Sequence, residues 1–192
     1  MIIAITGCIG SGKSFYTSKI NSIYNYDVFS ADTFSKMAYD DESIKLKLNK
    51  AFNCVIDNKV NKELIKNKLN DENIKLLNGI IHPFVIDKIK EVKEKYKNSI
   101  AFIEVPLLFE TNIEYLFDFT ISISVNDSLR RKRLLNRNAL DYKKMIELEK
   151  YQYDNDKKAS LADYVINSSE DDSQNLLNLE KIIKNIISKE VI

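Results

Sequence analysis

Cysteine, histidine, proline and glycine are scarce in this sequence of 192 residues. The two cysteines, Cys8 and Cys54, lack the spacing of a metal site or of a disulfide framework, so we expect a reducing compartment. The single histidine, His82, cannot form a histidine metal cluster. No apolar run approaches the roughly 18 residues that a membrane span needs, and the apolar opening MIIAITGC lacks the basic leader of a signal sequence. These absences predict a cytoplasmic protein without a membrane span.

A large excess of one charge is also missing. The chain has 29 Lys plus Arg against 28 Asp plus Glu, which gives a formal net charge of +1. A protein that binds nucleic acid electrostatically usually carries a strongly basic face, so we expect no nucleic-acid partner. The length suits one globular domain with room for a subdomain. We expect a monomer or a weak homo-oligomer.

The order of apolar segments predicts an α/β fold. Segments with helical periodicity, such as 84–96 and 176–187, separate short runs rich in β-branched and aromatic residues. Because these runs are mostly apolar rather than alternating, they predict strands of a parallel sheet that is covered on both faces. The interval 33–98 is too long for one crossover helix and predicts a helical subdomain. The five predicted strands are Ile2 to Thr6, Tyr26 to Ala31, Ser99 to Val105, Phe119 to Val125 and Tyr164 to Ser168.

The motif GCIGSGKS, residues 7–14, matches the phosphate-binding pattern G-x-x-x-x-G-K-[ST]. It follows an apolar strand and precedes a segment compatible with a helix, as its chemistry requires, because backbone N–H groups and a helix N-terminus must surround the phosphates. Ordinary usage of about 7% would give about thirteen glycines. Three of the four glycines present lie in this motif. Lys13 is predicted to reach the β- and γ-phosphates and Ser14 to bind Mg²⁺.

The rest of the chain favours a small kinase over a switch GTPase. An Asp-x-x-Gly element downstream of the loop and an Asn-Lys-x-Asp guanine reader are both absent from the sequence. A kinase needs a group that orients or deprotonates the accepting hydroxyl, and an acid that supports the metal. Asp32, after the second predicted strand, is a candidate base, although an N-cap of the next helix explains it equally well. Glu104, at the end of the third strand, is a candidate to hold a water molecule bound to magnesium. The alternative is a carboxylate at a strand end that is only solvated.

All four arginines lie in the segment SLRRKRLLNRN, residues 128–138, although lysine supplies the positive charge elsewhere. The sequence predicts an Asn126 or Asp127 cap followed by a helix, on which the first, third and fourth arginines share one face and Arg131 points elsewhere. A guanidinium grips a phosphate through two bonds, so we favour a mobile lid that clamps the transferred phosphoryl group. A solvated basic face is the alternative. The arginines are Arg130, Arg131, Arg133 and Arg137.

His82 precedes Pro83 in the segment IIHPFVI. Proline is well placed in the first turn of a helix, so we expect a helix to start at this pair. His82 is then a candidate to cap that helix or to contact substrate.

The segments TGCIGSGKS, SADTFSKMA, IIHPF, VPLLFE, RLLNRN and LADYVINSS follow one another over nearly the whole chain, which therefore resembles dephospho-coenzyme A kinases. The resemblance implies a P-loop kinase with a five-stranded parallel sheet in the order 2-3-1-4-5, flanked by helices, with a helical substrate subdomain and a lid. We assign the core to 1–32, 99–126 and 160–192, the subdomain to about 33–98 and the lid to about 127–159. The implied reaction is ATP-dependent phosphorylation of the ribose 3′-hydroxyl of dephospho-coenzyme A, with Mg²⁺.

The resemblance also implies roles for individual residues. Asp32 matches the proposed base, and Arg133 and Arg137 match lid arginines that act in catalysis with Lys13. Pro83 and His82 match the His-Pro pair near the substrate, and the substrate site also takes in Lys36, Pro106 and Leu107. The residues expected at the ATP phosphates are Gly7, Gly10, Ser11, Gly12, Lys13, Ser14 and Phe15.

Several positions depart from the family pattern. Ser30 replaces the first acid of the Asp-Ala-Asp element, Lys36 stands where arginine is common, and Phe15 stands where threonine is common. Leu148 replaces a further lid arginine and Asn138 an acidic neighbour, and the Asn-x-Gly segment near the adenine has become NSSED. Two alternatives remain at this point: a related kinase of another nucleoside or nucleotide, and a P-loop ATPase or nucleotide-binding regulator.

Overall fold

The computed structural model describes residues 1–136, 142, 147, 149–169 and 171–189. The chain divides into two compact units, one formed by Met1–Phe29 with Tyr96–Ile192 and the other by Ser30–Lys95. Arg137, Asn138 and Leu148 lie outside the described residues, so the lid predicted over 127–159 stays a prediction. None of the described helices is both long and apolar enough to cross a bilayer.

The secondary structure follows the predicted alternation. The described strands are β1 (Ile2–Thr6), β2 (Asp27–Ser30), β3 (Val55–Ile56), β4 (Lys59–Val60), β5 (Ala101–Glu104), β6 (Phe119–Ser124) and β7 (Tyr164–Asn167). The described helices are α1 (Lys13–Tyr24), α2 (Ala31–Ala38), α3 (Glu42–Phe52), α4 (Lys62–Lys66), α5 (Asp71–Lys95), α6 (Asp127–Leu135), α7 (Asn155–Leu161) and α8 (Asp172–Lys189), with a 3₁₀ turn at Glu114–Leu116.

Five strands form one parallel sheet in the order β2-β5-β1-β6-β7. Counted along the chain, this is the predicted order 2-3-1-4-5, which is confirmed. The central strand β1 pairs Ile3 with Phe102 of β5 and Ile5 with Ile121 of β6. Because all five strands run the same way, their carboxyl ends meet at one edge, where ligands of open α/β folds bind.

One face of the sheet is covered by α1 and α8. Side chains on alternate strand positions face these helices, as the two-residue period of a strand requires. The resulting core is apolar and closed to solvent, which anchors the start of α1 against β1. Its buried members are Ile3, Ile5, Tyr16, Ile20, Phe102, Ile121, Ile123, Ile166, Leu179, Ile183 and Ile186.

The second unit consists of α2 to α5 and the antiparallel hairpin of β3 and β4. Helices α2 and α3 both contact α5. The buried positions of α5 are Ile81, Val85, Ile89 and Val92, which recur at helical spacing and form one apolar stripe. This unit therefore has a helical core of its own.

The expected helix start at His82 and Pro83 is wrong. Helix α5 begins at Asp71, and the side chain of Asn70 accepts a hydrogen bond from the N–H of Asn73 at 2.8 Å, as an N-cap does. Pro83 therefore lies inside the helix, where it removes one backbone bond at a cost of about 3 kcal/mol. The apolar stripe continues on both sides of Pro83, so burial offsets this cost. His82 is half-buried, and desolvation lowers the pKa of its imidazole, which favours the neutral ring.

Gly79 provides a test of how the interior of α5 tolerates change. Apart from the adjoining residues and the nearby backbone of α5 itself, no atom of the described residues comes within 4 Å of a Cβ built at Gly79, so alanine fits without a clash. Because glycine is a poor helix former, we expect Gly79→Ala to stabilise the protein by about 1 kcal/mol. Urea denaturation followed by circular dichroism measures the difference. A lower denaturation midpoint in the variant would contradict an uninterrupted helix at this position.

Candidate active site

The phosphate-binding motif forms a tight loop between β1 and α1. Gly7 has a φ of 148°, and a Cβ built on it would lie 2.5 Å from the carbonyl oxygen of Ile123 in β6. Only glycine permits this approach of the loop to the sheet. Gly12, with a φ of 96°, is the N-cap residue of α1. The loop thus delivers the chain directly into the first turn of a helix.

Lys13 is buried, with 9% of its surface exposed. Its Nζ donates hydrogen bonds to the carbonyl oxygens of Gly7 at 2.8 Å and Cys8 at 3.1 Å, while the N–H of Ser11 closes a turn on Cys8. The start of α1 carries the positive end of the helix dipole, and the N–H of Phe15 donates to the carbonyl oxygen of Gly12 at 2.9 Å. An ammonium beside such a helix start forms an anion site suited to a polyphosphate.

The predicted metal residues belong to the same unit as the loop. Ser14 lies in the first turn of α1 and its side chain is exposed. Glu104 ends β5 and is half-buried, and its register partner is Ile5 in β1, two residues before Gly7. A hydroxyl and a carboxylate are oxygen donors of the kind that Mg²⁺ prefers. Within the described part of the chain, no cluster of three or more His, Cys, Asp or Glu side chains forms a metal cage.

Helix α6 brings two of the four arginines to the loop. Asn126 caps the helix by accepting hydrogen bonds from the N–H groups of Ser128 and Leu129, so Asn126 rather than Asp127 is the cap of the two that the sequence predicted. Nη1 of Arg130 lies 3.5 Å from the carbonyl oxygen of Ile9, and Nη1 of Arg133 lies 3.4 Å from that of Ser11. These two guanidiniums therefore face the loop from one side of α6.

The other described arginine, Arg131, is exposed and faces away from the loop. Its Nε donates to Asp127 at 2.7 Å and its Nη1 to Tyr142 at 3.5 Å. Hydrogen bonds from Arg131 and then Arg130 lower the pKa of the Asp127 carboxyl below its ordinary value. Arg131 thus has a local structural partner, as expected of the arginine that points elsewhere.

Gln152 and Tyr153 contact the tip of the loop. The side-chain oxygen of Gln152 accepts from the N–H of Ile9 at 3.4 Å, and the thiol of Cys8 donates to the carbonyl of Tyr153 at 3.3 Å. Burial raises the pKa of the Cys8 thiol, which keeps it protonated as a donor. Glu149 forms an ion pair with Arg130. The loop is therefore contacted by two separate parts of the predicted lid segment, α6 and residues 152–153.

A buried ion pair supports the segment that follows β5. Lys158 is fully buried, and its Nζ lies 2.8 Å from Glu110 and 2.7 Å from the carbonyl oxygen of Pro106. Glu110 also accepts the N–H of Tyr153 at 2.7 Å, and the hydroxyl of Thr6 donates to Pro106 at 3.4 Å. Sequence reasoning missed both charged residues, because nothing local distinguishes them from the many exposed charges. Leu107, by contrast, is exposed.

A cavity of about 620 Å³ lies beside the loop at Cys8. Its lining is polar and consists of Cys8, residues 125–127, Arg130, Glu149 and residues 152–156. Neither Pro106 nor Leu107 lines it, so the cavity does not coincide with the segment predicted to bind substrate.

The remaining predicted residues belong to the second unit. Asp32 occupies the second position of α2, and the N-cap residue is Ser30, so the alternative that Asp32 caps this helix is wrong. Its carboxylate is exposed and has no hydrogen-bond or ion-pair partner among the described residues. Lys36 follows four residues later, also exposed, so the two side chains share one face of α2. This face presents one carboxylate and one ammonium to solvent.

Comparison with known proteins decides the family. A family model described as CoaE, dephospho-CoA kinase, matches residues 1–174. The chain belongs to the dephospho-CoA kinase family. It is 33% identical to the dephospho-CoA kinase of Fusobacterium nucleatum over 97% of this chain and 95% of that protein. It is 31% identical to the dephospho-CoA kinase of Rickettsia bellii over 98% of this chain and 96% of that protein.

A solved structure of the family has the same fold. The dephospho-CoA kinase from Campylobacter jejuni superimposes with a TM-score of 0.71 and is 25% identical, covering 100% of this chain and 98% of that chain. The family resemblance drawn from the sequence motifs is therefore confirmed, and the chain is a kinase. The individual site residues stay predictions, to which the geometry above adds contacts.

The buried ion pair of Lys158 and Glu110 generates a stability prediction. Lys158→Met leaves the Glu110 carboxylate buried without its cation, so we expect a loss of about 3–5 kcal/mol in the free energy of unfolding. The control is Lys184→Met, because Lys184 forms an exposed pair with Glu180, and such pairs contribute little. Urea denaturation of both variants measures the difference. Equal losses would show that burial does not set the strength of the Lys158 pair.

Proposed function

We propose that this chain transfers the γ-phosphoryl group of ATP to the ribose 3′-hydroxyl of dephospho-coenzyme A, which yields coenzyme A and ADP. The observation that carries the proposal is the loop in which buried Lys13 lies over the carbonyl oxygens of Gly7 and Cys8 at the start of α1. This is the phosphate site of a kinase, in a chain that belongs to the dephospho-CoA kinase family.

The loop and helix start bind the triphosphate. Backbone N–H groups reach the phosphate oxygens from Gly7, Gly10, Ser11 and Gly12. Phe15 continues the helix, and its ring packs edge-on against that of Tyr16, with 5.3 Å between the ring centroids. Lys13 neutralises charge on the β- and γ-phosphates as the bond to the leaving ADP breaks. Arg133 and, by its place in the family pattern, Arg137 stabilise the charge of the transferred group.

Mg²⁺ accompanies ATP in this proposal. The Ser14 hydroxyl would bind the ion, and Glu104 would hold a water molecule of its coordination shell. When bound, the ion would supply positive charge that offsets the charge of the phosphates. This donor set fits the preference of Mg²⁺ for few protein ligands with substrate phosphates and water.

The acceptor is activated by Asp32. The 3′-oxygen attacks the γ-phosphorus, the bond between that phosphorus and the ADP oxygen breaks, and the hydroxyl proton passes to the Asp32 carboxylate. An exposed carboxylate without a competing partner among the described residues is available for this role. Lys36 supplies a cation for the diphosphate of the acceptor. His82, with Pro83, Pro106 and Leu107, contacts the rest of dephospho-coenzyme A.

We also propose a cytoplasmic location and a monomer or weak homo-oligomer. The two cysteines, Cys8 and Cys54, are free and buried, which suits a reducing compartment. Fractionation and sedimentation velocity test these two statements separately.

The choice of acceptor is tested by a coupled assay of ADP release. Purified protein with ATP and Mg²⁺ is given dephospho-coenzyme A, adenosine, AMP or no acceptor. Of these four reactions, we expect rapid ADP release only in the one that contains dephospho-coenzyme A. The amount of coenzyme A formed, measured by mass spectrometry, should match the amount of ADP. Equal rates with adenosine or AMP would favour a nucleoside or nucleotide kinase, and an unchanged rate without an acceptor would favour an ATPase.

The role of Asp32 is tested by Asp32→Asn, which keeps the size of the side chain and removes its charge. We expect turnover to fall by about 10² to 10⁴ because the hydroxyl proton loses its acceptor. The melting temperature and the affinity for ATP should stay at wild-type values, since the triphosphate is held by the loop. The control is Asp87→Asn, an exposed aspartate of α5 in the same unit. Wild-type turnover in Asp32→Asn would remove Asp32 as the base.

A further inference from the structure

Ser168, directly after β7, is buried and makes hydrogen bonds in several directions. Its N–H donates to the carbonyl of Ser124 at 2.8 Å, and its hydroxyl donates to the carbonyl of Ser11 at 2.7 Å. The same hydroxyl accepts from Nη1 of Arg133 at 3.0 Å, and its own carbonyl accepts from Nη2 at 2.8 Å. One serine therefore connects the end of the sheet, the phosphate loop and the arginine of α6.

These contacts use the edge of the Arg133 guanidinium formed by Nη1 and Nη2. The edge formed by Nε and Nη2 is left for a ligand. A guanidinium has five N–H groups on a rigid plane. Nη1 donates to the Ser168 hydroxyl at 3.0 Å and to the Ser11 carbonyl at 3.4 Å, and Nη2 donates to the Ser168 carbonyl at 2.8 Å. Among the described residues no acceptor takes the Nε–H or the remaining N–H of Nη2. These two groups share one edge of the plane, and that edge has the geometry that binds two oxygens of a phosphate.

The position of the guanidinium matches this use. Nη1 of Arg133 lies 3.5 Å from a Cβ built at Gly12, the N-cap residue of α1. The phosphate site lies at this helix start. A guanidinium held here is placed before the nucleotide arrives, so less side-chain entropy is lost when it binds.

We propose that Ser168 is a positioning residue, which fixes the guanidinium of Arg133 beside the phosphate loop with its Nε–H and Nη2–H edge turned to the phosphates. The proposal rests on the proposed function, because it assigns Arg133 to the transferred phosphoryl group. It goes beyond that function by naming the side chain that orients the arginine.

The test compares Ser168→Ala with Ser122→Ala in steady-state assays with dephospho-coenzyme A. Ser122 is also a buried serine, but its hydroxyl in β6 has no hydrogen-bond partner among the described residues. We expect Ser168→Ala to lower kcat about tenfold, which corresponds to about 1.4 kcal/mol of barrier, with KM for dephospho-coenzyme A unchanged. Ser122→Ala should stay within about twofold of wild type. Wild-type kcat in Ser168→Ala would overturn the proposal.

A double-mutant cycle shows whether Ser168 acts through Arg133. In an Arg133→Ala background, we expect Ser168→Ala to change kcat by less than about twofold, because the guanidinium that it positions is gone. The same tenfold loss in both backgrounds would mean that Ser168 supports the loop independently, which would overturn the proposal. Melting temperatures of all variants separate this result from a general loss of folding.

An error in the proposed acceptor and an error in the proposed role of Ser168 give different experimental results. A wrong acceptor shows in the wild-type protein as ADP release that does not depend on dephospho-coenzyme A, and the cycle is then measured with the acceptor that does support release. A wrong role for Ser168 shows as additive effects of the two substitutions, whichever acceptor is used.

Discussion

The close approach of the phosphate loop to the sheet is the constraint on which the rest of the site depends. At Gly7 the chain leaves β1 so close to the carbonyl of Ile123 that no side chain fits between them. The loop then turns its own carbonyls inward onto the ammonium of Lys13 and ends at the start of α1. Apolar burial of α1 against β1 holds this arrangement, so the anion site is formed by the core of the fold itself.

Around this loop the protein places side chains from distant parts of the sequence. Arg133 and Ser168 hold the carbonyl of Ser11, while Gln152 and Arg130 approach the peptide of Ile9. These contacts connect the loop to α6 and to Gln152, which belong to the segment that the family resemblance assigns to a lid.

The charged groups near the site differ mainly in how much water surrounds them. Lys158 and Glu110 pair without solvent and tie the chain after β5 to α7, whereas Arg131 pairs with Asp127 at the surface. A buried pair is costly to break, since either partner alone remains desolvated. For this reason we expect Lys158, which no sequence motif identifies, to contribute more to the free energy of unfolding than the exposed Arg131.

The error at Pro83 shows the limit of local rules. Proline favours a helix start, but the stripe of Ile81, Val85 and Ile89 buries apolar surface along an uninterrupted α5, and this gain exceeds the local cost. Asn70, twelve residues before His82, is a residue type that favours the N-cap of a helix, so the sequence does contain a signal for the correct boundary.

The sequence by itself determined the phosphate loop and the family, because these depend on motifs whose chemistry is local, and the sheet order followed from the family resemblance. The glycines of the loop belong to this group, whereas the choice of Asn126 over Asp127 as the cap of α6 needed the structure. Only the tertiary structure decided the partners of Lys158, the place of Ser168 between Arg133 and Ser11, and the position of Asp32 within α2. Such contacts join residues far apart in the chain, and their strength comes from burial, which appears only when the strands and helices have packed.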